Sequence, residues 1–127
     1  MAQPILAKEI MTKDVISISE NETLGAAIRK LVLHKVSGMP VLDETGKLIG
    51  IISEKDILNF FFCGHLKDTK VNEAMSKDVV HYGPESLIDS IALAVSQKHF
   101  RRVTIVENGE VIGIISRRDI IHYILDI

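Results

Sequence analysis

The heptad Gly50-Ile51-Ile52-Ser53-Glu54-Lys55-Asp56 returns later in the chain as Gly113-Ile114-Ile115-Ser116-Arg117-Arg118-Asp119. A second stretch is also repeated, because Met11-Thr12-Lys13-Asp14-Val15-Ile16 corresponds to Met75-Ser76-Lys77-Asp78-Val79-Val80. Both repeats run in the same order, and a shortened turn in the second copy absorbs the small difference in spacing. Since the chain holds two copies, the sequence predicts two halves that close on each other and not an open solenoid.

Each copy has the pattern of strand, helix, strand, strand and helix. Residues 15–18 alternate as a short strand, and apolar residues of 24–31 recur at helical spacing. Two apolar runs then flank a turn, as in an antiparallel hairpin, and a closing helix is expected to bury the apolar residues of 57–62. In the second copy, Asn108-Gly109 suits a type I′ turn. The expected fold is α/β (α+β): two pseudo-twofold related β-α-β-β-α repeats, residues 1–64 and 65–127, packed through their sheets.

Composition favours a soluble, cytoplasmic protein with one compact module. The chain has 127 residues, of which 46% are hydrophobic, and this is enough for a core. The net charge of −2 provides no basic field for nucleic acid, which is therefore disfavoured as a partner. No signal peptide is recognisable, and no apolar run approaches the ~18 residues of a membrane span, so no membrane contact is expected.

Catalysis and metal binding are not indicated. The lone Cys63 permits no internal disulfide and no cysteine cluster for zinc. It is either an exposed redox-sensitive thiol or a small buried hydrophobe. The histidines show neither metal-ligand spacing nor a serine or cysteine partner, so we predict no enzyme, no catalytic residue and no metal site. They are His34, His65, His81, His99 and His122.

The repeated heptad has a structural and a functional interpretation. Structurally, Ser53 and Ser116 stand three positions before Asp56 and Asp119, which is an acidic variant of the capping box at a helix start. Functionally, the heptad glycine lets another group approach the strand, and a helix start attracts an anion. The Asp carboxylate could accept ribose hydroxyls while the Ser donates to a ribose or phosphate oxygen. One motif can serve both purposes.

Cationic residues near the heptads favour a phosphate-bearing ligand. Lys55, Arg117 and Arg118 lie in predicted first helical turns, where a cation opposes the helix dipole. Arg101-Arg102 precedes the second hairpin, and the guanidinium group suits bidentate contact with phosphate. The alternative is that all of these side chains are solvated surface charges.

At these residues the chain resembles the CBS domain, the module named after cystathionine β-synthase, present as a tandem pair. The resemblance runs from Ala7 to Tyr123 and includes the opening Met-x-x-Asp-Val pattern, the stretch at 36–43 and both Gly-x-x-Ser-x-x-Asp motifs. It implies a regulatory sensor of an adenosyl ligand, either an adenine nucleotide (AMP, ADP or ATP, as in an energy sensor) or S-adenosylmethionine. It implies two related ligand clefts between the halves and no required cofactor.

The resemblance also implies two sets of ligand-binding residues. In one cleft Asp56 holds the ribose, Arg102 meets phosphates and an apolar residue of the other half holds the adenine. In the second cleft Asp119 holds the ribose. The first set is Ser53, Asp56, Val80 and Arg102; the second is Ser116, Asp119, Ile16, Ser37 and Gly38.

The two clefts are expected to differ in their ligands. Ser37-Gly38 stands where the second half has Arg101-Arg102, so the Asp56 cleft should favour a charged nucleotide. The Asp119 cleft should instead favour adenosine or S-adenosylmethionine, although Arg117 and Arg118 could supply charge. Thr104 stands where the first half has Pro40, which departs from the family pattern.

The resemblance further implies a homodimer and a separate effector protein. In larger relatives such pairs regulate an attached enzyme or transporter, so a stand-alone pair must signal to another protein. Dimers in the family use helical faces, for which the apolar residues of 57–62 and 120–125 are candidates. The competing hypothesis is a non-catalytic dimerisation or scaffold module with vestigial ligand sites.

Overall fold

A computed structural model describes residues 3–97 and 101–126. It confirms the α/β (α+β) class and the β-α-β-β-α order of each repeat. The helices are α1 (Ala7–Ile10), α2 (Leu24–His34), α3 (Glu54–Leu58), α4 (Val71–Ala74), α5 (Ile88–Gln97) and α6 (Arg117–Leu125). The strands are β1 (Ile18–Ser19), β2 (Gly38–Leu42), β3 (Leu48–Ser53), β4 (His81–Tyr82), β5 (Arg102–Glu107) and β6 (Glu110–Ser116), and a 3₁₀ turn covers Leu66–Asp68.

The chain packs as two compact units that differ from the two halves of the sequence. Residues 16–79 form one unit, called here the Asp56 unit. The described residues up to Val15 and those from Val80 onward form the other, called the Asp119 unit. The opening stretch of each sequence repeat thus belongs to the unit built around the other repeat. The boundaries 1–64 and 65–127 remain a prediction about the duplication of the sequence.

Each unit contains a mixed sheet of three strands. In the Asp56 unit α2 connects β1 to β2, and these two strands pair in parallel. Strand β2 then pairs antiparallel with β3. The Asp119 unit repeats this arrangement with β4, β5 and β6. The hairpin register places Gly38 opposite Ser53 and Arg102 opposite Ser116, so each heptad serine ends a strand beside the start of its neighbour.

Alternating strand residues and one face of each long helix form the two cores. Leu24 and Ala27 of α2 are fully buried in the Asp56 unit, as predicted from their spacing. Ile88, Ile91 and Val95 of α5 do the same in the Asp119 unit. Complete burial removes their apolar surface from water, which drives the folding of each unit. The strand residues in these cores are Met39, Val41 and Ile52 in the first unit and Val103, Ile105 and Ile115 in the second.

The two hairpin turns are built differently. Asn108 and Gly109 have φ angles of 56° and 82°, which confirms the type I′ turn predicted in the Asp119 unit. In the Asp56 unit the Asp43 carboxylate accepts hydrogen bonds from the Thr45 hydroxyl at 2.7 Å and from the Lys47 amide at 3.0 Å. These donors lower the pKa of Asp43, the Thr45 hydroxyl most strongly. Both turns contain a glycine with positive φ, since Gly46 has a φ of 86°, and the first turn adds the Asp43 carboxylate as an acceptor.

The prediction that the closing helix of the first repeat buries residues 57–62 is wrong for most of that stretch. Helix α3 ends at Leu58, and the chain continues in tighter turns in which the Phe60 amide donates to the Ile57 carbonyl at 2.9 Å. This change of spacing turns Phe61 and Phe62 outward, so that they are 64% and 96% exposed. Their rings contact each other edge to face, with centroids 5.1 Å apart.

Several residues of α6 are also exposed, among them Ile121, Ile124 and Leu125. Ile120 alone of the apolar residues in 120–125 is buried. Among the described residues, no helix combines the length and the apolar character that crossing a membrane requires.

Candidate ligand-binding site

The first heptad forms the predicted capping box at the start of α3. The Ser53 hydroxyl accepts a hydrogen bond from the Asp56 amide at 3.3 Å. In return, Asp56 Oδ2 accepts from the Ser53 amide at 2.9 Å and from the Ser53 hydroxyl at 2.8 Å. Asp56 is only 8% exposed, so these bonds also compensate for the burial of its charge. The structural interpretation of the heptad is confirmed.

The second heptad repeats this geometry at the start of α6. The Ser116 hydroxyl accepts from the Asp119 amide at 3.2 Å. Asp119 Oδ2 accepts from the Ser116 amide at 2.7 Å and from the Ser116 hydroxyl at 3.0 Å. Asp119 is more exposed than Asp56. In both units the carboxylate is therefore fixed in direction at the end of a strand.

A hydroxyl from outside the heptad reaches the second oxygen of each carboxylate. Ser76 Oγ donates to Asp56 Oδ1 at 2.8 Å, and Thr12 Oγ1 donates to Asp119 Oδ1 at 3.3 Å. Sequence reasoning missed both residues as members of the site. The signal was present, because Thr12 and Ser76 occupy the same position of the repeated Met-x-x-Asp-Val stretch.

The glycine of each heptad accommodates a methionine of the same unit. A side chain at Gly50 would lie 2.6 Å from Met75 Sδ, and one at Gly113 would lie 2.7 Å from Met11 Cγ. The group that the structure places at this glycine is part of the chain, and the approach of a ligand there stays a prediction. The approach is close because Ser76 pairs with Ile51 through two backbone hydrogen bonds of 2.9 Å each.

The remaining predicted site residues divide between the two units. Ile16, Ser37 and Gly38 lie in the Asp56 unit, where the Ser37 carbonyl accepts from the Glu54 amide at 2.9 Å. Val80 and Arg102 lie in the Asp119 unit, where the Val80 carbonyl accepts from the Thr104 amide at 3.3 Å. The structure thus joins Ser37 and Gly38 to Ser53, and Arg102 to Ser116. The predicted sets combine residues of both units, and those combinations stay predictions.

The number of cationic residues differs between the two heptads. Lys55 is the second residue of α3, and Arg117 and Arg118 are the first two of α6, as predicted. All three are exposed, while Arg102 is partly buried. Arg101 precedes β5 and Arg102 is its first residue, at the positions where the Asp56 unit has Ser37 and Gly38. The Asp119 heptad therefore lies in the more cationic neighbourhood.

An apolar groove of about 640 Å³ lies on the Asp56 unit between α2 and α3. Ser37 and Glu54 lie at this groove, next to the strand end that carries the capping box. Its apolar lining comes from Ile28, Leu31, Val32, Val36, Ile57 and Leu58.

Metal chemistry finds no support in the part of the chain that the structure describes. Within residues 3–97 and 101–126, no three His, Cys, Asp or Glu side chains are grouped so as to hold a metal ion. His99 lies outside the described residues. Cys63 is partly exposed, and its sulfur lies 3.6 Å from His65 Nε2.

Each unit has a mixed sheet of the same topology, and in each the last strand leads into a capped Ser-x-x-Asp helix start. The two units therefore define a tandem-repeat α/β module. The sequence profile of the CBS domain matches residues 7–62 and 71–126. The chain belongs to the CBS-domain family and carries two copies of the domain.

Known proteins share this arrangement over nearly the whole chain. The inosine-5′-monophosphate dehydrogenase of Methanocaldococcus jannaschii is 37% identical over 117 residues, which are 91% of this chain and 23% of that enzyme. The CBS domain-containing protein YhcV of Bacillus subtilis is 30% identical over 89% of this chain and 81% of its own length. The chain thus spans less than a quarter of the dehydrogenase but most of YhcV.

A solved structure extends the likeness to three dimensions. The CBS domain pair of protein MJ0100 superimposes with a TM-score of 0.86, covers 98% of both chains and is 26% identical. That protein was solved in complex with 5′-methylthioadenosine and S-adenosyl-L-methionine.

Proposed function

We propose that this protein is a non-catalytic regulatory sensor of an adenosyl ligand, which is an adenine nucleotide or S-adenosylmethionine. The observation that carries the proposal is the carboxylate at the end of each sheet, Asp56 and Asp119, held in one direction by its capping box. An oriented carboxylate suits the two neighbouring hydroxyls of a ribose, which donate hydrogen bonds. The complex of the similar MJ0100 pair with two adenosyl compounds supports this ligand class.

The remaining site residues take the roles that the family likeness implies. Ile16 and Val80 would contact the adenine ring, because both are apolar and partly exposed. Arg102 would contact phosphates, and Ser37 and Gly38 would contribute to the Asp119 set. These assignments, and the preference of the Asp56 set for a charged nucleotide, are part of the proposal.

The output of this cytoplasmic sensor would pass to a separate effector protein, through a homodimer of this chain. Exposed apolar side chains on the helices support an interface, since isolated monomers rarely leave such groups clustered in water. They lie in and after α3, at Leu58, Phe61 and Phe62, and on α6, at Ile121, Ile124 and Leu125. Ligand binding would shift the population of interface states by its different affinity for each.

Calorimetric titration with AMP, ADP, ATP and S-adenosylmethionine tests the proposal. We expect saturable binding of at least one of these ligands, weakened tenfold or more by Asp56→Ala or Asp119→Ala, since a charged hydrogen bond is lost. Glu44→Ala, an exposed acidic residue of the first hairpin turn, is the matched control and should bind as the parent does.

The same panel distinguishes the scaffold hypothesis. A scaffold would bind none of the four ligands, and its dimer would persist in sedimentation velocity with and without them. Binding that is unaffected by both Asp substitutions would place the adenosyl site elsewhere and overturn the proposed roles of Asp56 and Asp119.

A further inference from the structure

Ser76 lies outside both heptads and nevertheless occupies part of the Asp56 carboxylate. Its hydroxyl donates to Oδ1 at 2.8 Å, while the Ser53 amide and hydroxyl donate to Oδ2 at 2.9 and 2.8 Å. A carboxylate offers about four lone-pair positions to donors. Donors from the described residues therefore leave about one position open.

Ribose recognition requires more than one open position. The 2′ and 3′ hydroxyls of an adenosyl group are neighbours, and binding both to one carboxylate takes two acceptor positions. With three positions already in use, one of the existing donors must leave before the diol can bind in this way.

The geometry identifies the donor that can leave. The Ser53 amide bond completes the capping box of α3, and breaking it would leave a helix-start amide without a partner. The Ser53 hydroxyl is partly buried, so turning its proton away from Asp56 gives it less access to water than Ser76 has. Ser76 is exposed, so its hydroxyl can rotate to water at little cost. Its backbone remains paired with Ile51 whichever way the hydroxyl points, because both pairing bonds are made by main-chain atoms.

We propose that the Ser76 hydroxyl competes with the ligand for Asp56 Oδ1 and thereby lowers the affinity of that site. The inference rests on the proposed function, since it concerns an adenosyl ligand at Asp56. In the Asp119 unit the corresponding bond from Thr12 is longer, at 3.3 Å, and so holds its carboxylate more weakly. A ligand therefore displaces the existing hydroxyl more easily at Asp119, and because of Ser76 the Asp56 site fills only at a higher ligand concentration.

Replacing Ser76 with alanine tests the competition by the sign of its effect on binding. In titration with AMP or S-adenosylmethionine, Ser76→Ala should tighten by about tenfold the binding event that Asp56→Ala abolishes. Ser76→Thr is the matched control: Thr12 shows that the repeat accepts threonine at this position, and because a hydroxyl is kept, affinity should stay closer to the parent than in Ser76→Ala. Thr12→Ala should tighten binding at Asp119 by less, about threefold or below.

A ligand with a single ribose hydroxyl sharpens the test. 2′-Deoxy-AMP can use the open position of Asp56 without displacing Ser76. For this ligand, Ser76→Ala should change the affinity by no more than about twofold.

The alternatives give different results. Weaker binding in Ser76→Ala would mean that the hydroxyl contacts the ligand, and unchanged binding of AMP and S-adenosylmethionine would mean a purely structural role; either result overturns the inference alone. If neither the parent nor Ser76→Ala binds any ligand of the panel, both the inference and the proposed function fail. Equal melting temperatures of the Ser76 variants would show that the comparison is made between folded proteins.

Discussion

The Asp56 unit and the Asp119 unit contain the same capping box but hold its carboxylate differently. Asp56 is buried, and Ser76 reaches it at 2.8 Å, while Asp119 is partly exposed, and Thr12 reaches it at 3.3 Å. The cationic residues also differ between the units, since Arg101, Arg117 and Arg118 all lie in the Asp119 unit. The local motif is thus the same in both units, and the surrounding side chains make its two copies unequal.

The heptad glycines show the same kind of inequality. At Gly50 an added Cβ would lie 2.6 Å from Met75 Sδ, near the flexible end of its side chain, and 3.0 Å from the Ser76 carbonyl oxygen. At Gly113 it would lie 2.7 Å from Met11 Cγ and 2.9 Å from Met11 Cβ, which is anchored to the backbone. Most of the clash at Gly50 is relieved when a flexible end moves aside, whereas at Gly113 the base of the methionine side chain must move as well. The two glycines are therefore required to different degrees.

Alanine at Gly113 should have the largest effect. We expect Gly113→Ala to lower the free energy of unfolding by about 3 kcal/mol and Gly50→Ala by about 1–2 kcal/mol, as overpacking in a dense interior does. Urea denaturation measures both. In Gly113→Ala/Met11→Ala the loss should be smaller than the sum of the single losses, because Met11→Ala removes the Sδ and Cγ contacts and leaves only the contact with Cβ, which alanine keeps. Equal losses of stability in Gly50→Ala and Gly113→Ala would contradict the difference drawn between the two glycines.

Alanine at the two heptad aspartates should have a smaller and unequal effect on stability. Asp56→Ala should cost about 2–3 kcal/mol and Asp119→Ala about 1–2 kcal/mol, because Asp56 is more buried and its outer hydrogen bond is shorter. Thermal and urea unfolding without ligand measure the difference.

The capping serines are the controls for this pair. Ser53→Ala and Ser116→Ala should each cost about 1 kcal/mol, and equally, since their capping geometry is the same in both units. A larger loss in Asp119→Ala than in Asp56→Ala would contradict the difference drawn between the two carboxylates.

The smallest expected difference between the two units is how the stability of their hairpin turns changes at low pH. Hydrogen bonding lowers the pKa of Asp43 from its ordinary value of 3.8, so this turn gains stability above that value. The gain is lost as the pH falls through the lower pKa of the folded state. The central residues of the other turn, Asn108 and Gly109, carry no carboxylate and should not respond.

An NMR titration of side-chain carboxyl carbons measures this effect. Thr45→Val should bring the pKa of Asp43 closer to 3.8, because the hydroxyl is the strongest cause of the shift. Glu44, next to Asp43 in the same turn, serves as the internal reference in the parent and in the variant. A Thr45→Val protein with an unchanged Asp43 titration would refute the assignment to the hydroxyl.

Features that depend on neighbours in the chain could be predicted from the sequence. The helix faces of α2 and α5, both capping boxes and the type I′ turn at Asn108-Gly109 were all predicted correctly. The first strand was misplaced, since residues 15–18 were expected and β1 covers Ile18–Ser19. A strand this short has too little alternation to define its ends.

Contacts between distant parts of the chain were decided only by the tertiary structure. The hydroxyl bonds to Asp56 and Asp119 span 20 and 107 positions. Thr12 and Ser76 share a position of the repeated stretch, but the sequence does not show which carboxylate each hydroxyl reaches. The outward turn of Phe61 and Phe62 likewise depends on where α3 ends. By itself the sequence determined the duplicated fold and the two capped carboxylates, because hydrophobic spacing and capping act over a few residues. The tertiary structure determined which hydroxyl and which methionine meet each motif, because those contacts depend on how the chain folds back on itself.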